Sequence, residues 1–362
     1  MTVIAPGGRI GILGDGQLGR MMALAAAEMG YFVHIFGPEK DSPAAQVSHQ
    51  STVARYDNKR ALKSFAKSVD VVTLEFENIP TDALEYLSQF VPVRPGRKML
   101  EITQDRLLEK SFVNNLGIGT APFTNVENID DLVQAVQKIG TPAVLKTRRL
   151  GYDGKGQVKI TQGSQIDEAW AAVGESHCIL EGFVKFKMEI SVIVARSTNG
   201  KMQAYIPVEN RHKNHILDMT LAPANIPPDM ASDAMEMAEK IAKKIQLIGL
   251  LAVEMFVTHD GEILVNELAP RPHNSGHWTI EACATSQFHQ IIRAVCSLPL
   301  GNANRHSNAT MKNLIGDDID AWAKIIKNPD NNLHLYGKSE AREGRKMGHV
   351  TKLFPLGDKS PA

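Results

Sequence analysis

Residues 251–268 hold two apolar runs on either side of an Asp260-Gly261 pair. Asp-Gly between apolar runs is the strongest short-range signal for a β-hairpin, so this stretch is restricted to two antiparallel strands joined by a tight turn. If the turn has two residues, Glu254 lies directly opposite Glu267, whereas a three-residue loop would break that register. We therefore expect two carboxylates to meet within an apolar hairpin.

The pairing of Glu254 with Glu267 poses an electrostatic problem, because two carboxylates directly opposite each other destabilise a sheet. A divalent cation removes the repulsion, and Mg²⁺ prefers carboxylate oxygens and leaves room for substrate phosphates. The alternative is that one glutamate points to solvent and binds nothing. The polar residues just past the second strand, which include Arg271, His273 and Asn274, favour a binding site, since loops at strand ends are where sites often lie.

The composition describes a globular chain without a charge bias. Of its 362 residues, 43% are hydrophobic, which is enough for a large core and two or three domains. The 40 basic and 40 acidic residues cancel, so we expect no nucleic-acid and no membrane partner. The three cysteines have no metal-like spacing and fit buried thiols in a reducing cytoplasm. The N-terminus lacks a signal-peptide pattern, and the Ala-rich segment 21–29 is too short to span a bilayer, so we expect a soluble, cytoplasmic protein.

The N-terminal segment predicts a strand at 9–13, a glycine loop at 14–19, a helix, and a second strand at 31–36. A G-x-G-x-x-G loop at a helix N-terminus can present free N–H groups to a phosphate. A nicotinamide dinucleotide site would also need an acid at the end of the second strand, and Glu39 comes somewhat late. A lone glycine loop is weak support, and an NAD(P)-dependent oxidoreductase stays open as an alternative.

A third strand, at 69–76, ends in the acidic sequence that includes Glu75 and Glu77. Ionisable groups at the carboxyl end of a parallel strand lie on the ligand-binding edge of such a sheet. The alternative is a helix-capping role just before Pro80.

A basic, glycine-rich loop follows a predicted strand at 141–147 that carries Lys146. Glycine-freed N–H groups and cationic side chains make a phosphate cradle, and such a loop can also act as a lid. The order of residues is not that of a Walker A motif. The alternative is a mobile, solvated hairpin. Clustered cations also mark a predicted strand–turn–strand at 335–350, which is either an anion site for a second substrate or a solvated hairpin.

Several motifs occur in a fixed order: GDGQLGRM at 14–21, EFENIP at 75–80, GYDGKGQ at 151–157, NELAPRPHNSGHW at 266–278 and GRKMGH at 344–349. With Lys146 and the paired glutamates, they resemble the ATP-grasp superfamily over nearly the whole chain. Within it, they are most similar to the branch that carboxylates 5-aminoimidazole ribonucleotide.

The resemblance implies an α/β fold that is α+β in its C-terminal part. Three domains are expected: a doubly wound domain at 1–105, an ATP-grasp lid domain at 106–185 and a C-terminal ATP-grasp domain at 186–362, which ends in a small basic hairpin for the substrate phosphate. ATP would lie between the last two. The resemblance also implies a homodimer.

Residues around ATP are implied to be Arg106, Lys146, Gly151, Tyr152, Asp153, Gly154, Lys155, Gly156, Gln157, Glu181, Gly182, Phe183, Val184, Glu189, His212, Asn266 and Glu267. Glu254 and Glu267 would hold Mg²⁺, with Mn²⁺ as a substitute.

Two further sets are implied by the resemblance. The ribonucleotide would contact Gln17, Leu18, Glu77, Asn274, Lys338, Arg345 and Lys346. Bicarbonate and the ring would be handled by the catalytic set of Arg271, Tyr152, His273 and Asn274.

The implied activity is ATP- and bicarbonate-dependent carboxylation of the exocyclic amine, through carboxyphosphate, in purine biosynthesis. The formate-dependent enzyme that acts on glycinamide ribonucleotide is the alternative within the superfamily. That enzyme typically has Asp where Asn274 stands and a Ser-rich form of the 151–157 loop, so Tyr152-Asp153 favours the carboxylating branch. A non-catalytic nucleotide sensor is a third reading, against which the full set of presumed catalytic groups argues.

Overall fold

The computed structural model describes residues 2–151 and 154–357 and is built on three β-sheets. The N-terminal elements are β1 (Arg9–Leu13), α1 (Gln17–Glu28), β2 (Phe32–Gly37), β3 (Gln50–Val53), α2 (Lys59–Ala66), β4 (Val71–Leu74), α3 (Thr81–Ser88) and α4 (Arg97–Thr103). The four strands form a parallel sheet in the order β3-β2-β1-β4. Strands are added on one side of β1 up to β3, and β4 is then added on the other side. The loops after β1 and β4 therefore share the edge where such sheets bind ligands. The expected doubly wound fold is confirmed.

The second unit, the lid, comprises α5 (Arg106–Asn115), β5 (Phe123–Val126), α6 (Ile129–Ile139), β6 (Ala143–Thr147), β7 (Gln157–Ile160), α7 (Ile166–Ala172) and β8 (Cys178–Gly182). Its strands form an antiparallel sheet in the order β5-β8-β6-β7. Side chains alternate between the faces of β6. Ala143 and Leu145 pack into a core of the lid's own, whereas Val144 and Lys146 face a cavity.

The rest of the chain forms β9 (Phe186–Arg196), β10 (Met202–Ala204), β11 (Val208–Lys213), β12 (Ile216–Ala222), α8 (Pro228–Lys244), β13 (Gly249–Thr258), β14 (Ile263–Ala269), α9 (Thr279–Ala282), α10 (Gln287–Val295), β15 (Asn308–Ile315), α11 (Trp322–Ile325), β16 (Asn332–Leu335) and β17 (Lys346–Phe354). Nine strands form one large sheet in the order β14-β13-β9-β11-β12-β15-β17-β16, with β10 added beside β9. Helices cover both faces of its centre. Val192 and Val194 pack in the same core as α8, whereas Ile193 and Ala195 pack with α1 and α10.

The hairpin between β13 and β14 does not have the expected two-residue turn. The Thr258 N–H donates to the Glu262 carbonyl at 2.9 Å, which leaves a three-residue loop at 259–261. The last loop residue, Gly261, has a φ of +84°, which is usual for the glycine that closes such a loop.

A β-bulge restores the pairing that the longer loop would have broken. Met255 pairs with Val265, but the next pair along is Glu254 with Glu267, so Asn266 is an extra residue in β14. The two glutamates are therefore cross-strand partners, as expected, although the turn that was expected to pair them is wrong.

The free edge of β14 is covered by α5 and the segment that follows it. The Val265 N–H donates to the Gly119 carbonyl at 2.9 Å, the Leu268 N–H donates to Oε1 of Glu109 at 2.7 Å, and the Lys110 ammonium donates to the Asn266 carbonyl at 3.1 Å. A covered edge cannot pair with another chain.

Across residues 2–151 and 154–357, every helix is too short or too polar to pass through a bilayer. Cys178, Cys283 and Cys296 are all buried and free, as the odd number and spacing predict.

Candidate active site

A cavity of about 660 Å³ lies where the lid, the large sheet and the loop after β4 meet. Most of the residues expected around ATP, the cation and the acceptor line it. These are Glu77, Arg106, Lys146, Gly151, Gly154, Lys155, Gln157, Glu181, Gly182, Phe183, Val184, Glu189, His212, Glu254, Asn266, Glu267, Arg271, His273, Asn274 and Lys346.

The remaining expected residues fall into two groups. Gln17, Leu18, Gly156, Lys338 and Arg345 are described by the structure but do not line this cavity. Tyr152 and Asp153 lie outside the described residues.

A cationic cluster surrounds the buried carboxylate of Glu181. The Lys146 ammonium lies 2.8 Å and the Lys110 ammonium 3.4 Å from Oε2 of Glu181. Burial would raise the pKa of Glu181, but Lys110 and Lys146 hold it down at about 2. Burial lowers the pKa of Lys146, and the neighbouring cations Lys110 and Arg106 lower it further, against the pull of Glu181. An entering polyanion would relieve this crowding of positive charge.

Two residues of α5 belong to the site although the sequence did not single them out. Glu109 and Lys110 are 3% and 1% exposed, whereas their neighbour Leu108 is 46% exposed. Burial and the nearby Glu267 carboxylate raise the pKa of Glu109 to about 8, so it is largely protonated at neutral pH. The cluster thus keeps an excess of positive charge. Only the fold shows that the apolar Leu108 is exposed while its charged neighbours are buried.

The bulged hairpin offers oxygen atoms suited to a divalent cation. Glu254 and Glu267 both line the cavity, and Oδ1 of Asn266 is buried with no hydrogen-bond partner in the described part of the chain. Mg²⁺ and Mn²⁺ favour such carboxylate and amide oxygens. The donor set therefore fits a hard cation. Within the described residues, no group of three or more His, Cys, Asp or Glu side chains converges to hold a metal.

Each of the two glutamates has a cationic or hydrogen-bonding neighbour. Nε2 of His273 lies 3.0 Å from Oε1 of Glu254, and the Arg106 guanidinium lies 3.4 Å from Oε2 of Glu267. Burial would raise the pKa of Glu254, but the hydrogen bond from His273 and nearby positive groups keep it below its ordinary value. Both carboxylates are thus held in a charged environment that tolerates them side by side.

Glu189 and His212 form a hydrogen-bonded pair on adjacent strands of the large sheet. Burial would lower the pKa of His212, but the hydrogen bond and the charge of Glu189 raise it. This pair lies on the wall of the cavity, as expected of two residues near ATP.

Arg271 and Glu77 join the large sheet to the N-terminal sheet. Nη2 of Arg271 lies 2.8 Å from Oε1 of Glu77, and Nε contacts Oε2. Asn274 lies nearby on the cavity wall, with its buried Oδ1 lacking a hydrogen-bond partner within the described residues. These groups line the same cavity as Lys146.

The glycine loop after β1 is filled by a side chain of the protein itself. The Gly16 N–H donates to Oε1 of Glu75 at 2.8 Å, and the Gly19 N–H donates to Oε2 at 3.1 Å. Gly14 has a φ of +103°, and a Cβ there would lie 2.4 Å from Cγ of Glu75, so no other residue fits. A pyrophosphate would meet this carboxylate at the same N–H groups, which argues against a nicotinamide dinucleotide site.

Two polar contacts tie the lid to the residues at its base. The Arg148 guanidinium forks onto Asp105, with Nη2 2.7 Å from Oδ2, while Asp105 also caps α5. The Arg149 guanidinium donates to Gln104, whose amide donates to the carbonyls of Glu77 and Ile79. Arg148 and Arg149 were predicted as basic residues of a phosphate cradle, whereas their pairing with Asp105 and Gln104 was not predicted, because these partners lie far apart in the chain.

The basic hairpin near the C-terminus places its cations at different positions. Lys346 begins β17 and lines the cavity. The Lys338 ammonium donates to the Lys346 carbonyl at 2.7 Å, and Arg345 donates to the Glu340 carbonyl at 3.0 Å. Gln46, in the segment between β2 and β3, donates to the Gly337 carbonyl at 2.8 Å, so this hairpin is fastened to the N-terminal unit.

Three family models match successive parts of the chain. A ribonucleotide synthetase preATP-grasp domain matches residues 8–104, an ATP-grasp domain matches 111–288, and a phosphoribosylaminoimidazole carboxylase C-terminal domain matches 309–357.

Curated relatives agree with these matches. The N5-carboxyaminoimidazole ribonucleotide synthase of Brucella melitensis is 49% identical over 98% of this chain and 98% of its own length. The bifunctional purine synthesis protein purC/E of Dictyostelium discoideum is also 49% identical, over 97% of this chain, but the chain spans only 37% of that longer protein.

Solved structures give the same picture. An N5-carboxyaminoimidazole ribonucleotide synthetase in complex with ADP matches with a TM-score of 0.95 and 46% identity, over 98% of this chain and 94% of that one. An Aspergillus clavatus N5-carboxyaminoimidazole synthase in complex with ADP and 5-aminoimidazole ribonucleotide matches with a TM-score of 0.90 and 31% identity, over 97% and 94%. The chain therefore belongs to the N5-carboxyaminoimidazole ribonucleotide synthase family of the ATP-grasp superfamily.

Proposed function

We propose that this protein is an ATP-dependent ligase that carboxylates the exocyclic amine of 5-aminoimidazole ribonucleotide, with bicarbonate as the carboxyl donor, in de novo purine biosynthesis. The observation that carries the proposal is one cavity lined by two chemically different sets of groups. Lys146 lines it as part of a cationic cluster with Lys110, and Arg271, Glu77 and Asn274 line it with groups suited to a polar acceptor. The relatives named above support this reading.

The first half-reaction is a phosphoryl transfer. An oxygen of bicarbonate attacks the γ-phosphorus of ATP, the bond to the β,γ-bridging oxygen breaks, and ADP leaves with that electron pair, which gives carboxyphosphate. Lys146, Lys110 and Arg106 stabilise the triphosphate, and Arg271 forks onto bicarbonate or the transferring group. Glu254, Glu267 and Oδ1 of Asn266 would hold Mg²⁺ or Mn²⁺, which supplies neutralisation of phosphate charge and Lewis acidity when bound.

The second half-reaction forms the carbon–nitrogen bond. The exocyclic amine attacks the carboxyl carbon, the bond from that carbon to the phosphate oxygen breaks, and the departing phosphate accepts the amine proton. His273, Asn274 and Tyr152 orient the two reactants, and Lys338, Arg345 and Lys346 bind the ribonucleotide phosphate, with Gln17, Leu18 and Glu77 around the rest of it. No separate side-chain base is needed.

Exclusion of water is the task of the lid. Carboxyphosphate hydrolyses readily in water, so the reaction gains from a covered cavity. The Asp105–Arg148 fork and the backbone bond from the Arg106 N–H to the Arg148 carbonyl, at 2.9 Å, link the segment after β6 to the start of α5. We propose that the glycine-rich loop at 151–157 closes over ATP from this anchored base.

The proposal extends to the organisation of the protein. The domains run 1–105, 106–185 and 186–362, and the separate core of the lid, which includes Leu132, Leu145 and Leu180, supports the middle unit. We further propose that the protein is cytoplasmic and forms a homodimer. Light scattering on the purified protein tests the dimer directly.

A coupled ADP-release assay tests the proposed function. Full rate is expected only with 5-aminoimidazole ribonucleotide and bicarbonate together, and removal of bicarbonate should lower it strongly. Faster turnover with formate and glycinamide ribonucleotide would replace the proposal with the formylating alternative. Thermal stabilisation by NAD but not by Mg-ATP would point instead to an oxidoreductase.

A further inference from the structure

A chain of hydrogen bonds runs from the interior of the large sheet to His273. Oγ1 of Thr220 lies 3.1 Å from Oδ1 of Asn210, and Nδ2 of Asn210 donates to Oγ of Ser191 at 2.9 Å. Oγ of Ser191 lies 2.7 Å from Oγ of Ser275, which lies 2.8 Å from Nδ1 of His273. Thr220, Asn210, Ser191 and Ser275 are between 0% and 5% exposed, so water does not compete for these bonds.

The direction of these hydrogen bonds follows from the groups that can only donate or only accept. Since an amide nitrogen only donates, Oγ of Ser191 accepts from Asn210 and its own proton is left for Ser275. Ser275 then donates its hydroxyl to Nδ1 of His273, and the Ser275 N–H approaches the same nitrogen at 3.4 Å. Nδ1 is therefore an acceptor, and the ring proton resides on Nε2. Nε2 lies 3.0 Å from Oε1 of Glu254, to which it donates.

We propose that Thr220, Asn210, Ser191 and Ser275 are positioning residues that hold His273 in its Nε2–H tautomer. None of the four lines the cavity, so they act through His273 alone. The fixed Nε2–H engages one oxygen of Glu254 and so directs the other oxygen toward the cation. Outer partners of this kind typically change metal affinity or activity by 10–100-fold. The catalytic consequence rests on the proposed function, whereas the tautomer does not.

The tautomer can be measured in the protein without metal or substrate. Nitrogen NMR of histidine-labelled protein at pH 8, with His273 assigned through His273→Gln, is expected to show a protonated Nε2 and a bare Nδ1. Ser275→Ala removes the donor to Nδ1, so the Nδ1–H tautomer should become populated. A wild-type ring with its proton on Nδ1, a doubly protonated ring, or a Ser275→Ala spectrum identical to wild type would overturn the proposal.

A matched pair of threonines separates positioning from general loss of packing. Thr220 and Thr351 are both 0% exposed in the large sheet, but Oγ1 of Thr351 has no hydrogen-bond partner within the described chain. Thr220→Val should alter the His273 ring signals and raise the Mg²⁺ concentration for half-maximal activity by about 10-fold. Thr220→Ser should restore both, and Thr351→Val should change neither.

The two threonine variants also show whether Thr220 has a structural role alone. If Thr220→Val and Thr351→Val shift the His273 signals and the Mg²⁺ requirement alike, the chain of hydrogen bonds does not position His273, and the proposal falls. Denaturant unfolding of each variant shows whether either loses its fold. If the protein fails to make the carboxylated product while the Ser275→Ala tautomer change is observed, the proposed function fails and the positioning role stands.

Discussion

The guanidinium of Arg271 forks onto the carboxylate of Glu77, so that two residues lining the cavity form an internal ion pair. Glu77 lies in the loop after β4 and Arg271 in the loop after β14, and each was expected to bind a substrate. A bound ribonucleotide or bicarbonate must therefore compete with this pair. We infer that the Arg271–Glu77 contact opens as the second substrate enters, because a ligand shifts such an equilibrium only through the state that it binds better.

Arg271→Lys keeps the charge but removes the two-pronged geometry. We expect kcat/KM for the ribonucleotide to fall about 100-fold, which corresponds to roughly 2.7 kcal/mol of lost transition-state stabilisation. Steady-state kinetics at saturating ATP measures this. The matched control is Arg97→Lys, since Arg97 pairs with Glu101 on the surface, and it should change the rate less than about two-fold. A similar loss in both variants would contradict the assignment.

Glu267→Gln keeps the shape of the side chain and removes the charge next to Asn266. Turnover is expected to fall by about 100-fold or more, and the Mg²⁺ requirement to rise, because an amide is a weaker ligand for a hard cation. Circular dichroism should show an intact fold. Glu262→Gln, an exposed position on the same hairpin, is the control and should behave like wild type. Near-normal activity of Glu267→Gln would remove Glu267 from the cation site.

Arg345→Ala should affect one substrate far more than the other. If Arg345 binds the ribonucleotide phosphate, its loss should raise the KM for the ribonucleotide by about 10–100-fold, the usual range for a lost charge-assisted hydrogen bond. The KM for ATP should change little. Arg342→Ala serves as the control, because Arg342 lies in the same hairpin and pairs with Glu340 at the surface. Equal effects on both KM values would place the phosphate elsewhere.

Two buried histidines should make the fold sensitive to acid. Burial lowers the pKa of His277 and of His349 well below the ordinary value, and the neighbouring positive groups add to this. Below about pH 6.5 the unfolded chain binds protons that the folded chain does not, so the free energy of unfolding decreases as the pH falls. The slope is up to about 1.4 kcal/mol per pH unit for each histidine.

His349→Gln removes one of these titrating groups. Its free energy of unfolding, measured with urea at pH 7.5, 6.5 and 5.5, should therefore decrease less steeply below pH 6.5 than that of wild type. The exposed His306 provides the control, and His306→Gln should keep the wild-type slope. Identical slopes for wild type and His349→Gln would show that His349 does not stay neutral in the fold.

The sequence predicts the parts of the site that depend on local order. Lys146 lies a few residues before the glycine-rich loop at 151–157, and Glu254 and Glu267 are related by one hairpin, so the proximity within each pair follows from spacing. The predicted turn is wrong because the hairpin has a three-residue loop and a β-bulge at Asn266, whose effects on the pairing of the glutamates cancel. Neither the loop length nor the bulge leaves a distinct signal in the sequence.

Site residues whose position depends on long-range packing could not be predicted from the sequence. Nothing in the sequence marks Glu109 and Lys110 of the predicted helix as buried, and only the placement of α5 against β14 shows that they are. Glu75 could not be assigned to the glycine loop, because that contact requires β4 to lie beside β1. Single-sequence reasoning has no means to establish such pairings.

Asn266 and Glu267 are neighbours in β14, yet both side chains line the cavity. In an even strand one of them would face the opposite side of the sheet. A designer who regularised this hairpin, with a two-residue turn and no bulge, would keep the glutamates paired and turn the Asn266 amide away from the substrate. The fold would survive, but the Asn266 amide oxygen would no longer face the cavity. The defect in the strand is thus a feature to be copied, not corrected, when this scaffold is redesigned.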